Sequence, residues 1–118
     1  WQRSTRVPLL IAGPGINRGR CETPVELLDI FPTLIDVCQL PARSELEGQS
    51  LLPQLRDSLA PRSAPAVCSH GPGNHLVRRN SWSYIRYADG AEELYDLAQD
   101  PHEWTNLAHL AEHAGVKA

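Results

Sequence analysis

Four short segments, AVCSH, HLVRR, SWSYIRYA and EELYDL, follow one another from Ala66 to Leu97 with little but turn residues between them. Each is rich in aromatic or β-branched side chains, which suit a pleated, half-buried surface. Gly71-Pro72-Gly73-Asn74, Arg79-Asn80-Ser81 and Asp89-Gly90 mark the reversals. Glycine reaches positive φ without steric penalty and aspartate tolerates it, so Asp89-Gly90 reads as a tight hairpin. In SWSYIRYA, Trp82, Tyr84, Arg86 and Ala88 alternate with Ser83, Ile85 and Tyr87, which sets a largely aromatic face against a mixed one. The pattern predicts a small antiparallel sheet.

The first part of the chain has a different character. Residues 6–12, RVPLLIA, form an apolar run closed by Gly13-Pro14-Gly15 and predict a strand buried inside a larger sheet, with Pro8 near its start or at an edge. A helix is expected next. Thr23, Pro24 and Glu26 have the order of N-cap, first helical residue and capping-box acid, and Val25, Leu28, Phe31, Leu34, Ile35 and Cys38 recur at helical spacing. Pro32 would forfeit an interior hydrogen bond in that arrangement, so a helix over about 29–38, with Asp29 as N-cap and Pro32 in the first turn, is favoured. Pro41, Pro53, Pro61 and Pro65 make residues 41–65 a surface-hugging connection with one helical turn near Ser50 to Leu55. After the sheet, Asp100-Pro101-His102-Glu103 predicts a C-terminal helix, with a break at Asn106, whose amide competes for backbone groups.

Several function classes are excluded early. The longest apolar run falls far short of the roughly 20 residues a membrane span requires, and WQRSTRVPLL lacks the basic region and long apolar stretch of a signal peptide. The net charge is −3 with the arginines scattered, so no membrane and no nucleic-acid partner is expected. Cys21, Cys38 and Cys68 are odd in number and far apart, which makes neither a disulfide framework nor a paired metal motif, although one disulfide plus a free thiol stays open.

Three pieces in order carry a resemblance: RVPLLIAGPG, then VELLDIFPTLIDV with LEGQSLLPQL, then WSYIRYADGAEELYDLAQDPHEWTNLA. Together they resemble the C-terminal portion of a type I sulfatase of the alkaline-phosphatase superfamily, most similar to the iduronate-2-sulfatase-like and bacterial polysaccharide-sulfatase branch. The resemblance implies an α/β fold, here an α+β piece of one. Residues 1–40 would end the sulfatase core with one strand and one helix of the central sheet, 41–65 would connect, and 66–118 would form an antiparallel sheet with a terminal helix. Relatives usually end the DIFPTL helix with glycine where this chain has Gln39, so the left-handed C-cap is expected to be lost or strained there.

Such enzymes attack a sulfate ester with a hydrated formylglycine made from a Cys or Ser in a C/S-x-P/A-x-R motif, beside a divalent cation, usually calcium. None of the three cysteines fits the motif; Cys38 comes nearest, with Pro41 and Arg43 each one residue too far along. No catalytic or metal-binding residue is therefore assigned here, and both the nucleophile and the metal are expected upstream of Trp1. The implied substrate is a sulfated sugar or polysaccharide, and the family's habit suggests a periplasmic or secreted enzyme. In relatives with a similar pattern the loop His70-Gly-Pro-Gly-Asn74-His75 lies toward the cleft, which makes His75, Asn74 and His70 the candidate substrate-binding residues. Rival readings are a zinc site from Cys68, His70 and His75, and sulfate binding by Arg78 or Arg79. His102, His109 and His113 read as solvent-facing helix residues, and Asp96, Asp100 and Glu103 as strand-end and cap residues. A non-catalytic module, or a phosphodiesterase or phosphonate hydrolase of the same superfamily, is the alternative. Exposed core surface would favour self-association.

Overall fold

The computed structural model describes residues 1–117, which divide into two compact units, one of residues 8–64 and one combining 1–7 with the described residues from 65 on. In the first unit a 3₁₀ turn, Leu27–Asp29, runs into helix α2, Ile30–Val37, and helix α3 follows at Leu52–Arg56. Helix α1 is the short Gln2–Thr5 of the other unit. Pro32 is the third residue of α2, where a helix has no partner for the amide it lacks. The helix therefore starts two residues before the proline, with Asp29 at the N-cap position, as the proline argument requires.

The entry to α2 is held by a buried carboxylate. Asp29 is fully buried. Its Oδ2 accepts the Glu26 N–H at 2.7 Å, and its Oδ1 accepts the Gln49 N–H at 2.8 Å and Arg62 Nη2 at 3.1 Å. Glu26 and Asp29 thus form the reciprocal capping pair, three residues later than the Thr23–Glu26 box expected from sequence. Thr33, also buried, donates its hydroxyl to the Asp29 carbonyl and accepts the Leu51 N–H at 2.8 Å. The chain passes close by at Gly48, where a Cβ would overlap the Leu28 carbonyl. Helix α2 ends with Leu40 N–H on the Ile35 carbonyl and Gln39 N–H on the Asp36 carbonyl, a Schellman arrangement, and Gln39 sits at φ +54°. Of the two outcomes expected at Gln39, a lost or a strained cap, the structure has the strained one.

Residues 6–12, expected as a strand, form no ladder in this chain. A strand draws its hydrogen bonds from neighbours, and the described residues offer none beside it; Leu10 is 89% exposed.

The second unit is built on an antiparallel meander: β1 Ala66–Ser69, β2 His75–Arg79, β3 Trp82–Arg86 and β4 Glu92–Asp96, in that order across the sheet. Register follows from the turns. Cys68 pairs with Leu76, Leu76 with Ile85 and Ile85 with Glu93, while one residue along Ser69 pairs with His75, His75 with Arg86 and Arg86 with Glu92. The mixed face supplies the core: Leu76, Ile85 and Tyr95 are buried together, with Tyr87 and Leu97 packed on them. On the aromatic face, Leu94 is fully buried and Trp82 packs against the His113 ring at 5.4 Å with the planes tilted by 55°.

The C-terminal helix differs from expectation. From Asp100 to Leu110 the chain turns rather than winds, and only a 3₁₀ turn, Ala111–His113, and the short α4, Ala114–Lys117, follow. Two side chains explain the difference. Asp100 Oδ2 accepts the N–H groups of Trp104 and Thr105 at 2.7 and 2.8 Å with Glu103 at φ +56°, which is an irregular turn. Asn106 then acts as a peptide mimic at the edge of β4: Oδ1 accepts the Leu94 N–H at 3.1 Å and Nδ2 donates to the Glu92 carbonyl at 3.0 Å. Leu107 N–H adds a bond to the Leu94 carbonyl at 2.8 Å. A helix would take these groups away from an otherwise unpaired sheet edge.

Candidate functional site

The loop from His70 to Asn74 closes the β1–β2 hairpin. His70 N–H donates to the Asn74 carbonyl at 3.0 Å, and Gly71 and Gly73 take φ of +66° and +77°, so glycine is required at both reversals. A Cβ at Gly73 would lie 3.1 Å from the Ala88 Cβ, which places the loop tip directly against the start of the β3–β4 turn. Asn74 secures that contact. Its Oδ1 accepts the Ala88 N–H at 3.2 Å, and its Nδ2 donates to the Pro72 carbonyl at 3.3 Å. The Asn74 amide is thus committed to holding two hairpin tips together.

His70 and His75 are both exposed. His75 Nδ1 lies 2.7 Å from Ser69 Oγ, the residue opposite it in β1. This contact orients the ring and leaves Nε2 for a ligand. On its other side His75 faces Arg86, also exposed. Directly paired residues in an antiparallel ladder have Cβ atoms about 5 Å apart, so an imidazole and a guanidinium stand side by side at this end of the sheet. Sequence reasoning missed Arg86 as a site residue. Its place in the alternation of SWSYIRYA put it on the aromatic face, but only the register of β2 on β3 brings it to His75.

Beyond Arg86 the row reaches Glu92, which is already engaged. Hydrogen bonds from Lys117 Nζ and Tyr84 hydroxyl, both 2.7 Å, hold its carboxyl below the ordinary range. Burial, then the bond to Glu92, pushes the Tyr84 hydroxyl up. Asp100 is held low by backbone N–H donation, first from Thr105, so it serves a turn rather than acid chemistry. His102 stacks on Trp104 at 4.8 Å and lies in the turn region with His109.

The zinc reading fails on register. Cys68 shares the face of Leu76 while His75 occupies the opposite face, and no group of three His, Cys, Asp or Glu side chains converges among the described residues. Cys21, Cys38 and Cys68 are free, exposed thiols, and Cys38 is therefore not the buried thiol that is the usual fate of such a residue. Arg78 and Arg79 point to opposite faces, as alternation predicts: Arg79 is exposed, and Arg78 is partly covered on the core side. A calcium ion with a formylglycine has no matching residues here, since no such cluster is present among the described residues and no cysteine lies in the required motif.

No helix among the described residues is long and apolar enough to cross a membrane. The model of the N-sulphoglucosamine sulphohydrolase C-terminal family matches residues 1–118. A sulfatase of Formosa agariphila is 38% identical over 110 residues, covering 92% of this chain and 22% of its own length. Arylsulfatase K of Homo sapiens is 36% identical over 124 residues, covering 92% and 23%. Among solved structures, a 2-O GAG sulfatase superposes with a TM-score of 0.67 at 30% identity, over 90% of this chain and 26% of that one. The chain thus spans less than a quarter of the curated relatives it matches. With a family match along its whole length and a helix-plus-meander fold shared with a sulfatase, the chain belongs to the N-sulphoglucosamine sulphohydrolase C-terminal family, the family of sulfatase C-terminal domains.

Proposed function

We propose that this chain is the closing part of an enzyme that hydrolyses sulfate esters of a sugar or polysaccharide, and that it supplies one wall of the substrate cleft. The observation that carries the reading is the family match along the whole chain. The formylglycine nucleophile and its calcium ion belong, on this reading, to the larger portion that the relatives have and this chain does not cover. The 2-O GAG sulfatase acts on a sulfated glycosaminoglycan by its name, which supports a sulfated carbohydrate as the substrate class here.

Within the chain, His75 is the substrate-contacting residue. Its imidazole is oriented by Ser69 and flanked by Arg86, so the pair can donate to a sulfate or hydroxyl oxygen through Nε2–H and the guanidinium fork. Asn74 acts as a positioning residue through its bond to Ala88, and His70 flanks the loop as a further contact. In the intact parent enzyme, His75→Ala should raise KM for the sulfated sugar about tenfold while kcat for a small aryl sulfate stays within twofold, a split expected of a group that binds the sugar and not the reacting atoms. Equal loss on both substrates would refute the assignment. The 118-residue chain alone should show no aryl-sulfate turnover. Leu9, Leu10, Leu27, Leu28, Phe31 and Leu34 are exposed, so in isolation the chain should self-associate, and a clean monomer by light scattering at high concentration would contradict that.

A further inference from the structure

Arg86 stands opposite an acid and does not pair with it. His75, Arg86 and Glu92 form one row across β2, β3 and β4, with Arg86 directly facing Glu92. Side chains so placed have Cβ atoms about 5 Å apart, and opposite charges there attract and stabilise a sheet. Glu92 turns elsewhere. Its Oε2 accepts Lys117 Nζ at 2.7 Å, its Oε1 accepts the Tyr84 hydroxyl at 2.7 Å, and its ion pair among the described residues is the one with Lys117. The lysine is itself held in place. Nζ also donates to the Ala108 carbonyl at 3.0 Å, and Ala108 N–H bonds the same Asn106 Oδ1 that covers the edge of β4. Earlier in the same tail the His113 ring lies against Trp82, which shares the face of Arg86 on β3. The tail of residues 111–117 thus crosses the aromatic face and brings a cation to the acid opposite Arg86.

On the reading that His75 and Arg86 contact the sugar, we infer that Lys117 is a positioning residue for that site: it draws Glu92 away and leaves the Arg86 guanidinium to a sulfate group of the substrate. With Lys117 present, its charge and that of Glu92 cancel, so an approaching sulfate meets the net positive charge of Arg86. Without it, Glu92 and Arg86 cancel each other, and the Glu92 carboxylate competes with sulfate for the same guanidinium donors. Burying Leu94 requires apolar cover only, so the ammonium has a use beyond closing the sheet.

The test is competition in the intact parent enzyme: a heparin tetrasaccharide, whose sulfates occupy several ring positions, is titrated against turnover of p-nitrophenyl sulfate. Lys117→Met should weaken the tetrasaccharide about fivefold, the upper end of what an exposed cross-strand ion pair is worth, and should leave kcat for the aryl sulfate within about twofold. Lys117→Arg should bind as the unmodified enzyme does. Glu92→Gln breaks the same ion pair but removes the competitor, so it should bind the tetrasaccharide at least as tightly, and Lys117→Met with Glu92→Gln should recover the original affinity. In an Arg86→Met background, Lys117→Met should have no further effect beyond about twofold, because the lysine acts through the arginine. Equal weakening by Lys117→Met and Glu92→Gln would show a clamp that is only structural and overturns the proposal, as does an undiminished Lys117 effect without Arg86. If Lys117→Met does not fold, weaker binding by Glu92→Gln alone overturns it. An effect of His75→Ala and Arg86→Met with none of Lys117→Met sinks this inference and leaves the sugar-contact reading standing, whereas no effect of any variant sinks both.

Discussion

Replacing Arg62 with methionine isolates the charge that holds the first unit together. The Arg62 side chain is 3% exposed and its Nη2 lies 3.0 Å from Asp29 Oδ2, with the Glu26 carboxylate at 3.5 Å. Asp29 would keep its two backbone donors, the N–H groups of Glu26 and Gln49, but would lose the Arg62 cation beside it while remaining fully buried. Breaking a buried pair from one side costs about 3–5 kcal/mol, because the remaining charge stays desolvated. Asp29→Asn keeps the shape and one acceptor oxygen, so it should cost less, and the double variant should cost less than the sum of the two. The three tryptophans, Trp1, Trp82 and Trp104, all lie in the other unit, so fluorescence would not report this change. Native-state hydrogen exchange at Leu51, whose N–H is bonded to the buried Thr33 hydroxyl, does report it. At about 1.4 kcal/mol per decade, Arg62→Met should speed Leu51 exchange by two orders of magnitude or more. A change of less than threefold would refute the view that this pair holds the α2 entry against the 48–51 segment.

Asn106→Ala should expose the edge of β4, leaving the Leu94 N–H and Glu92 carbonyl without their partners, and should destabilise the sheet by about 2–4 kcal/mol in urea unfolding followed by tryptophan fluorescence. Gln39→Gly should stabilise the end of α2 by about 0.5–1 kcal/mol, read as slower exchange at Leu40, since glycine takes φ +54° without a Cβ clash. Stability should also fall at both ends of the pH range. Burial and bonds to carboxylates raise the hydroxyl pKa of Tyr95, Tyr87 and Tyr84, so the unfolded chain ionises first and stability is lost as pH rises above about 10. Burial works against Glu93, but donors from Trp1, Tyr95 and Tyr87 outweigh it and hold the carboxyl low; this contribution is present above about pH 4.5 and is lost as pH falls below it. A urea midpoint that is flat from pH 9 to 11.5 would contradict the alkaline part.

The sequence by itself determined the elements whose causes are local. Asp89-Gly90 and the alternation of SWSYIRYA fixed the hairpins, because turn geometry and a period of two leave one register for a sheet with a buried face. Pro32 set the start of α2, since a proline is tolerated only in the first turn, and Gln39 marked its strained end. Tertiary structure decided what depends on partners distant in sequence. Alternation in β3 set a largely aromatic face against a mixed one without choosing between them, and the core formed around Leu76, Ile85 and Tyr95 on the mixed side. Asp100 and Asn106 had the signals of a helix start and a helix break, and the competition was won by the free edge of β4, which needed Asn106 more than a helix did. The apolar run at residues 6–12 is fit for a strand and forms none, because a strand exists only through its neighbours. The candidate site divides in the same way. His75 is a candidate from its loop alone, while its neighbour Arg86 came from strand register, which no local pattern encodes.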